Sequence, residues 1–260
     1  MANSFDSAAA VYDQTFTHSV IGKLQRKIVQ DHLQKILDSQ KPQHILEINC
    51  GTGEDAHWLA RQNFKVTATD LSQKMLDVAK SKEHSEKIIF RKADINELQH
   101  VFRNEKFDLI FSNFGGLNCL SEIRLELFFK NASELLSENG QLILVIMPKN
   151  TLWEQFYFLG KANFQNIFRR KKHSAIANVD GEDIITYYYN PNKISHLANA
   201  FFKLTRLHPV GFFVPPSYLE PFFKTKPRFI SVLSQLENRV KNRKSLAKYA
   251  DHYFIALQKK

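Results

Sequence analysis

The sequence predicts an α/β fold, a doubly wound and mostly parallel sheet, on three observations. Short apolar runs alternate with helix-length stretches from about residue 20 to residue 147. The first apolar run, within His44-Ile-Leu-Glu-Ile-Asn-Cys-Gly-Thr-Gly53, carries a carboxylate, Glu47, at its end and then breaks into a glycine turn. The next run, Val66-Thr-Ala-Thr-Asp70, ends on a second acid. Strand, glycine turn, helix and acid-tipped strand is the arrangement by which doubly wound sheets grip a ribose-bearing cofactor.

The elements follow in order. Residues 21–37 read as a leading helix with Ile21, Leu24, Ile28, Leu33 and Ile36 as its apolar positions. A strand over 45–49, a helix over 54–62 and a strand over 65–70 come next. A helix over 73–81 has Ser72 placed as its N-cap. Strands over 88–92 and 107–112 lead to a helix over 122–137, capped by Ser121 and closed by Gly140 before a strand over 141–147. After Pro148 the alternation changes. Residues 151–172 read as a helix dense in aromatics, among them Trp153, Phe156, Tyr157, Phe158, Phe164 and Phe168. A hairpin is expected over 174–179 and 184–189, turning at Asp180-Gly181. Pro191 opens a helix to about 202, and strands over 202–214 and 252–257 flank a helix within 227–250. The expectation is one domain: a helical cap (1–40), a cofactor-binding core (41–147), a lid over the substrate pocket (148–200), and final strands and helix (201–260).

Glycine is required at the first turn because the backbone must take positive φ and come close to the ligand. Those features suit a dinucleotide and S-adenosylmethionine alike, and two details separate them. A dinucleotide site wants a third glycine and a helix N-terminus facing pyrophosphate. Here Gly51-Thr-Gly53 is followed by Glu54 and Asp55, carboxylates that repel pyrophosphate and suit a cation. Glu47 likewise faces the ligand, where an ammonium group is its natural partner.

In these segments the chain resembles the class I S-adenosylmethionine-dependent methyltransferases. Residues 45–53 resemble the family's first motif, 67–76 the second, 91–95 the third, 107–114 the fourth and 135–144 the strand that follows. The resemblance is close over residues 12–147 and holds in outline beyond. It implies a Rossmann-like sheet of seven strands whose late strands pair antiparallel at the edge, and S-adenosylmethionine as cofactor. It implies that Asp70 binds the ribose, that Leu71 touches adenine and that Asp94 meets the adenine amino group. Met75, Ile95, Ser112, Asn113, Phe114 and Leu117 complete the expected cofactor site with Glu47, Asn49, Gly51 and Gly53. Tyr12 stands where similar enzymes fold a tyrosine over the cofactor's methionine end. Asn49 departs from the family's usual glycine, and Asn tolerates left-handed backbone better than other residues.

Methyl transfer from a sulfonium is an in-line displacement that needs collinear placement and exclusion of water, with no metal and no covalent enzyme intermediate. The cofactor site is therefore legible, while no catalytic residue is. The loop 112–118 lies at the carboxyl edge, where Gly115-Gly116 would let the backbone approach a substrate. It is not the Asn/Asp-Pro-Pro-aromatic motif of amino-directed nucleic-acid methyltransferases. Asn118, Trp153, Tyr157 and Phe213 are expected to line a small-molecule acceptor, apolar or aromatic. His18, His57, His173, His208 and His252 show no metal-ligand spacing.

At 260 residues the chain can bury one core plus a lid. It has no N-terminal apolar stretch like a signal peptide, no run long enough to span a bilayer and two cysteines only, so a reducing cytoplasm is expected. The net charge of +10 gathers in Arg169-Arg-Lys-Lys172 and from Lys224 onward. Such patches recruit nucleic acid, an anionic membrane or an acidic carrier protein, or simply form a solvated face. An RNA-binding or RNA-modifying methyltransferase, or a non-catalytic nucleic-acid-binding protein that uses these basic patches, is the alternative reading.

Overall fold

The computed structural model describes residues 5–172, 174–179 and 182–260. Ser19 opens the first long helix, α1 (Val20–Gln40), its hydroxyl accepting from the Gly22 amide at 2.9 Å. The Glu220 carboxylate covers two more free amides, Val20 and Ile21, each at 2.9 Å, where negative charge favours the helix N-terminus. Then come β1 (His44–Ile48), α2 (Glu54–Arg61), β2 (Lys65–Asp70), α3 (Gln73–Ser81), β3 (Ile88–Lys92), the short α4 (Leu98–Val101) and β4 (Phe107–Ser112). Ser72 caps α3 as expected, accepting from the Met75 amide at 3.1 Å.

Next are α5 (Glu122–Leu135), β5 (Leu136–Ile146), α6 (Leu152–Gly160), β6 (Ala175–Val179), β7 (Glu182–Thr186) and α7 (Pro191–Ala198). The chain closes with β8 (Phe202–Val210), α8 (Glu220–Phe223), α9 (Pro227–Val240) and β9 (His252–Lys259). The main sheet has the order β3-β2-β1-β4-β5-β9-β8. Strands β1 to β5 run parallel, and β9 is antiparallel to both its neighbours. This is the seven-stranded, mostly parallel Rossmann-like sheet the sequence predicts. Apolar layers on its two faces form the core: Phe107, Ile110, Phe129, Leu142 and Tyr253 on one, Leu33, Ile45, Leu109, Ile143 and Phe254 on the other.

Several boundaries differ from expectation. Helix α5 stops at Leu135, because Leu136 already pairs with Phe107. Gly140 is therefore inside β5 rather than at a helix end, in a stretch where the register shifts from Leu136 to Gln141. Ser121 begins α5 without a side-chain cap bond. Helix α6 ends at Gly160, and Ala162 turns the chain at φ +52°. The basic stretch beyond it is drawn inward by Glu154, as described below, and forms only short turns. The hairpin pairs as expected, although Tyr187 and Tyr189 leave it to donate to the Asn118 and Met147 carbonyls. Strand β8 stops at Val210, where Gly211 takes φ +74° and the buried Glu237 carboxylate collects the amides of residues 211–214. The expected turn at Asp180-Gly181 and His173 lie outside the described residues. No helix among the described residues is long and apolar enough to cross a membrane.

His32 and His208 stack at 4.0 Å between α1 and β8. Burial, with like charges nearby, lowers His32 to about 3 and His208 to about 4. Both are neutral in the fold, so the unfolded chain binds more protons once the pH drops below the ordinary histidine range. Stability is expected to fall as pH decreases from about 6.5, each pKa unit being worth about 1.4 kcal/mol. Thermal melts across that range check this. A flat midpoint from pH 7 to pH 5 would contradict it.

Candidate cofactor and acceptor site

The turn after β1 takes left-handed backbone at Asn49 (φ +57°), Gly51 (+52°) and Gly53 (+73°). Asn49 thus holds the conformation expected of it. A Cβ on Gly53 would stand 2.9 Å from the Ala79 Cβ and 3.1 Å from the Phe90 ring, so this glycine lets the turn and α2 pack closely. At Gly51 a Cβ would meet nothing within 4 Å: its face is open space at the carboxyl edge of the sheet. Asp70 ties this turn to the second, accepting from the Gly51 amide at 2.8 Å and the Ser72 amide at 2.9 Å. The Ala93 amide donates to the Asp70 carbonyl at 3.0 Å, bringing Asp94 and Ile95 beside Asp70 and Leu71. One oxygen of Asp94 accepts from both nitrogens of Asn96, at 2.8 and 2.6 Å.

Glu47 is 2% exposed, and its Oε2 has no hydrogen-bond partner among the described residues. Burial pushes its carboxyl well above the usual range, Asp55 adds to the rise and Arg26 opposes it. Burial also raises Asp70, against the bonds from the Ser72 and Gly51 amides. The two acids of the first helical turn play another part than expected. Asp55 is neutralised by Arg26 and accepts from the Asn113 side chain at 2.8 Å, and Glu54 lies 3.5 Å from Lys82. The carboxylate left for a cation is Glu47. A buried acceptor without a donor, beside an open glycine face, fits an ammonium-bearing ligand.

The N-terminal segment closes over these turns. Phe5, Ala8, Ala9 and Tyr12 pack on Met75 and Val78. Asp6 accepts from the Ser72 hydroxyl; Asp13 accepts from Thr52 at 2.6 Å and pairs with Lys82 at 2.7 Å. Tyr12 is pushed up to about 12, chiefly by burial. From Tyr12 the ring contacts run to Phe16 (5.6 Å) and on to Phe114 (5.0 Å), with Arg26 over the Phe114 ring at 5.1 Å. Sequence reasoning missed Arg26, Asp13, Thr52 and Lys82. Only the position of Asp13 beside Tyr12 could have signalled them.

Residues 45–140 match a family model described as a methyltransferase domain. Over this segment the chain is similar to the class I S-adenosylmethionine-dependent methyltransferases, and it shares their fold. It is 28% identical over 207 residues to the malonyl-[acyl-carrier protein] O-methyltransferase of Bacillus anthracis, spanning 74% of this chain and 65% of that protein. The first curated relatives it matches are covered over 56%, 65% and 45% of their lengths. A Pyrococcus horikoshii protein shares the fold with a TM-score of 0.60 at 15% identity, over 96% of this chain and 98% of its own. The magnesium protoporphyrin IX methyltransferase of Synechocystis, solved with bound SAH, does so at 0.57 and 14%, over 91% and 83%.

Across the carboxyl edge from the glycine turn, the loop after β4 holds Phe114 at φ +44° and Gly115 at +77°. Ser112 is buried and receives the Asn49 amide at 3.4 Å; Asn113 bonds Asp55. Leu117 is part of the core rather than of an open surface. Asn118 differs from its expected substrate-lining role. It is fully buried, donates to the Met147 and Tyr187 carbonyls and accepts from the Met147 amide at 2.9 Å, so it braces the loop. A Cβ on Gly116 would stand 2.8 Å from the Asn49 Cβ. Gly116→Ala is expected to lower stability by about 1–3 kcal/mol through overpacking between the two loops. A denaturation midpoint equal to wild type would contradict that contact.

Trp153 donates its indole N–H to the Phe212 carbonyl at 3.0 Å and packs on Phe223 at 6.0 Å. Tyr157 packs on Tyr218 at 5.4 Å, and Phe213 on Phe212 at 5.0 Å. Arg169 clasps Glu154 through two bonds (2.7 and 3.0 Å), and the buried Arg170 joins Glu154 (2.8 Å) to Asp251 (3.4 Å). Half of the Arg169–Lys172 cluster is therefore internal, leaving Lys171 and Lys172 exposed. Burial raises Asp251, but His252, Arg170 and Gln25 outweigh it and hold it at about 2. The Nδ1 of His252 lies 3.1 Å from that carboxylate, out of line for a hydrogen bond, and its ring meets Phe114 edge-on at 5.5 Å. The sequence places this acid–histidine pair at the start of the last strand. An antiparallel strand begins where its parallel neighbours end, so the pair reaches the cofactor edge. Among the described residues no group of three metal-ligating side chains occurs.

Proposed function

We propose that this chain transfers a methyl group from S-adenosylmethionine to a small apolar or aromatic acceptor by in-line displacement. The observation that carries the reading is the orphaned, buried Glu47 oxygen beside the open face of Gly51. When bound, the cofactor supplies a methyl group already activated by a positive sulfur. The chain's residues bind, orient and exclude water. Glu47 would hold the ammonium group, Asp70 the ribose hydroxyls and Asp94 the adenine amine, with Leu71 and Ile95 beside the adenine. Tyr12 and the latch of Asp13 with Lys82 and Thr52 keep water from the reacting carbon. His252, in contact with Phe114 and beside Asp251, is the group placed to take a proton from an acceptor hydroxyl or amine. The aromatic insertion 148–190 and Phe213 form the acceptor's lid and wall. The names of two relatives, which print malonyl-[acyl-carrier protein] and demethylmenaquinone, support an acceptor group that is not a nucleic acid.

Calorimetric titration with S-adenosylmethionine, S-adenosylhomocysteine and NAD tests the cofactor assignment. Micromolar binding of both adenosyl ligands and none of NAD is expected. NAD binding in their place would overturn it.

A further inference from the structure

All six exposed aromatic side chains among the described residues lie between 156 and 229: Phe156, Phe164, Phe168, Tyr218, Phe222 and Phe229. Phe156 is 65% exposed, Phe164 67% and Phe222 53%, more than isolated surface rings need explain. Five of them sit in two segments of one charge sign, and Tyr218 lies just before the second, two residues from Glu220. Residues 155–172 carry five cations and no acid, and residues 221–236 carry three cations and no acid. Two of the five, Arg169 and Arg170, are bound to Glu154, which leaves Lys161, Lys171 and Lys172 free to face outward with Lys224, Lys226 and Arg228.

The two segments adjoin. Tyr157 of α6 meets Tyr218, Trp153 meets Phe223, and Phe223 meets both Phe222 (5.0 Å) and Phe229 (5.7 Å). Cations stand over rings on both: Lys226 Nζ is 3.6 Å from the Phe222 centroid, Lys171 4.3 Å from Phe168 and Lys161 4.7 Å from Tyr157. A depression of about 570 Å³, walled by Phe222, Pro227 and Phe229 with Lys226 and Arg228 at its sides, lies in the second segment. Helix α6 leaves from the end of β5, and its Trp153 is bonded to Phe212 just beyond β8, so the surface borders the carboxyl edge that carries the cofactor turn.

We propose that this aromatic and cationic surface docks on an anionic lipid bilayer. Rings that reach the acyl boundary and lysines that reach headgroup phosphates satisfy both halves of the pattern at once. An acidic protein or a nucleic acid would also neutralise the lysines, and bases can stack on exposed rings, so the vesicle experiment has to separate these occupants. The docking is peripheral, through side chains, and needs no helix that spans the bilayer. It is independent of the methyl-transfer reading, since vesicle binding requires neither cofactor nor acceptor.

Flotation with vesicles of phosphatidylcholine alone and of phosphatidylcholine with phosphatidylglycerol tests it, at about 0.1 M and about 1 M salt. Binding to the anionic vesicles is expected, weakened but not abolished by salt because ring burial is not screened. Phe156→Ser and Phe222→Ser, one from each segment, should each lower the partition coefficient about tenfold or more. Lys226→Glu should weaken binding at the lower salt. Both rings are mostly exposed, and an unchanged circular-dichroism spectrum and thermal midpoint would certify the fold of each variant. No binding to anionic vesicles overturns the proposal. So does binding that disappears at high salt and ignores both Phe substitutions, since that is a purely electrostatic contact of the kind nucleic acid or an acidic carrier would make.

Discussion

Glu47→Gln is expected to raise the thermal midpoint of the cofactor-free protein by a few degrees while weakening S-adenosylmethionine about ten- to hundredfold. Both effects have one cause. The carboxylate is buried with an oxygen that no donor reaches, and burial together with Asp55 lifts its pKa well above the ordinary range. A carboxyl whose folded pKa is raised contributes stability that is complete below the unfolded value and is lost as pH rises through the folded value. At neutral pH the wild-type protein therefore carries a penalty that glutamine lacks. Glutamine keeps a polar group there but removes the ionisation penalty, about 1.4 kcal/mol for each pKa unit, and a protein of this size moves about 2–4 °C per kcal/mol. Binding reverses the sign, because the ligand's ammonium provides the missing donor and a charge-assisted bond is worth about 1.5–3 kcal/mol. Melting curves and calorimetry on the same sample read both. Equal loss of stability and affinity would mean that Glu47 is a structural brace.

Asp70→Ala should weaken S-adenosylhomocysteine about 10²- to 10⁴-fold, the loss of two charge-assisted bonds to ribose hydroxyls at about 1.5–3 kcal/mol each. It should also lower the melting temperature, since the carboxylate joins Gly51 to Ser72 and so ties the first cofactor turn to the second. Those two bonds use one lone pair on each oxygen and leave the other for the ligand. Because burial raises this carboxyl, affinity is expected to fall on acidification sooner than for an exposed aspartate. Unchanged affinity in the alanine variant would remove Asp70 from the cofactor site.

The succession of strands and helices through residue 147, the left-handed Asn49 and the Ser72 cap are all readable, because each rests on local chemistry or on an alternation that a parallel sheet imposes. What was hidden depends on partners far along the chain. Glu54 and Asp55 read as charges awaiting a cationic ligand; Lys82 and Arg26, far from them in sequence, are their actual partners. Asn118 reads as a polar group at a site edge, and only the fold shows its amide closing on Met147 and Tyr187. The basic run at 169–172 reads as a surface, until Glu154 and Asp251 take two of its members inside. Gly140 resembles a helix terminator, but pairing of Leu136 with Phe107 ends the helix sooner.

Strand β9 lies between β5 and β8, and it is the only strand in the main sheet that β8 touches. During synthesis β8 emerges from the ribosome before β9, the one strand of the main sheet that it pairs with among the described residues. Through that interval the aromatic stretch 212–229 has no sheet to lie on, and the open edge of β5 is available to any passing strand. Completion of the sheet is thus a late, non-local event, the slow kind of step in folding kinetics. Released chains that lack residues 252–260 are therefore expected to need chaperones far more than the chain that carries them.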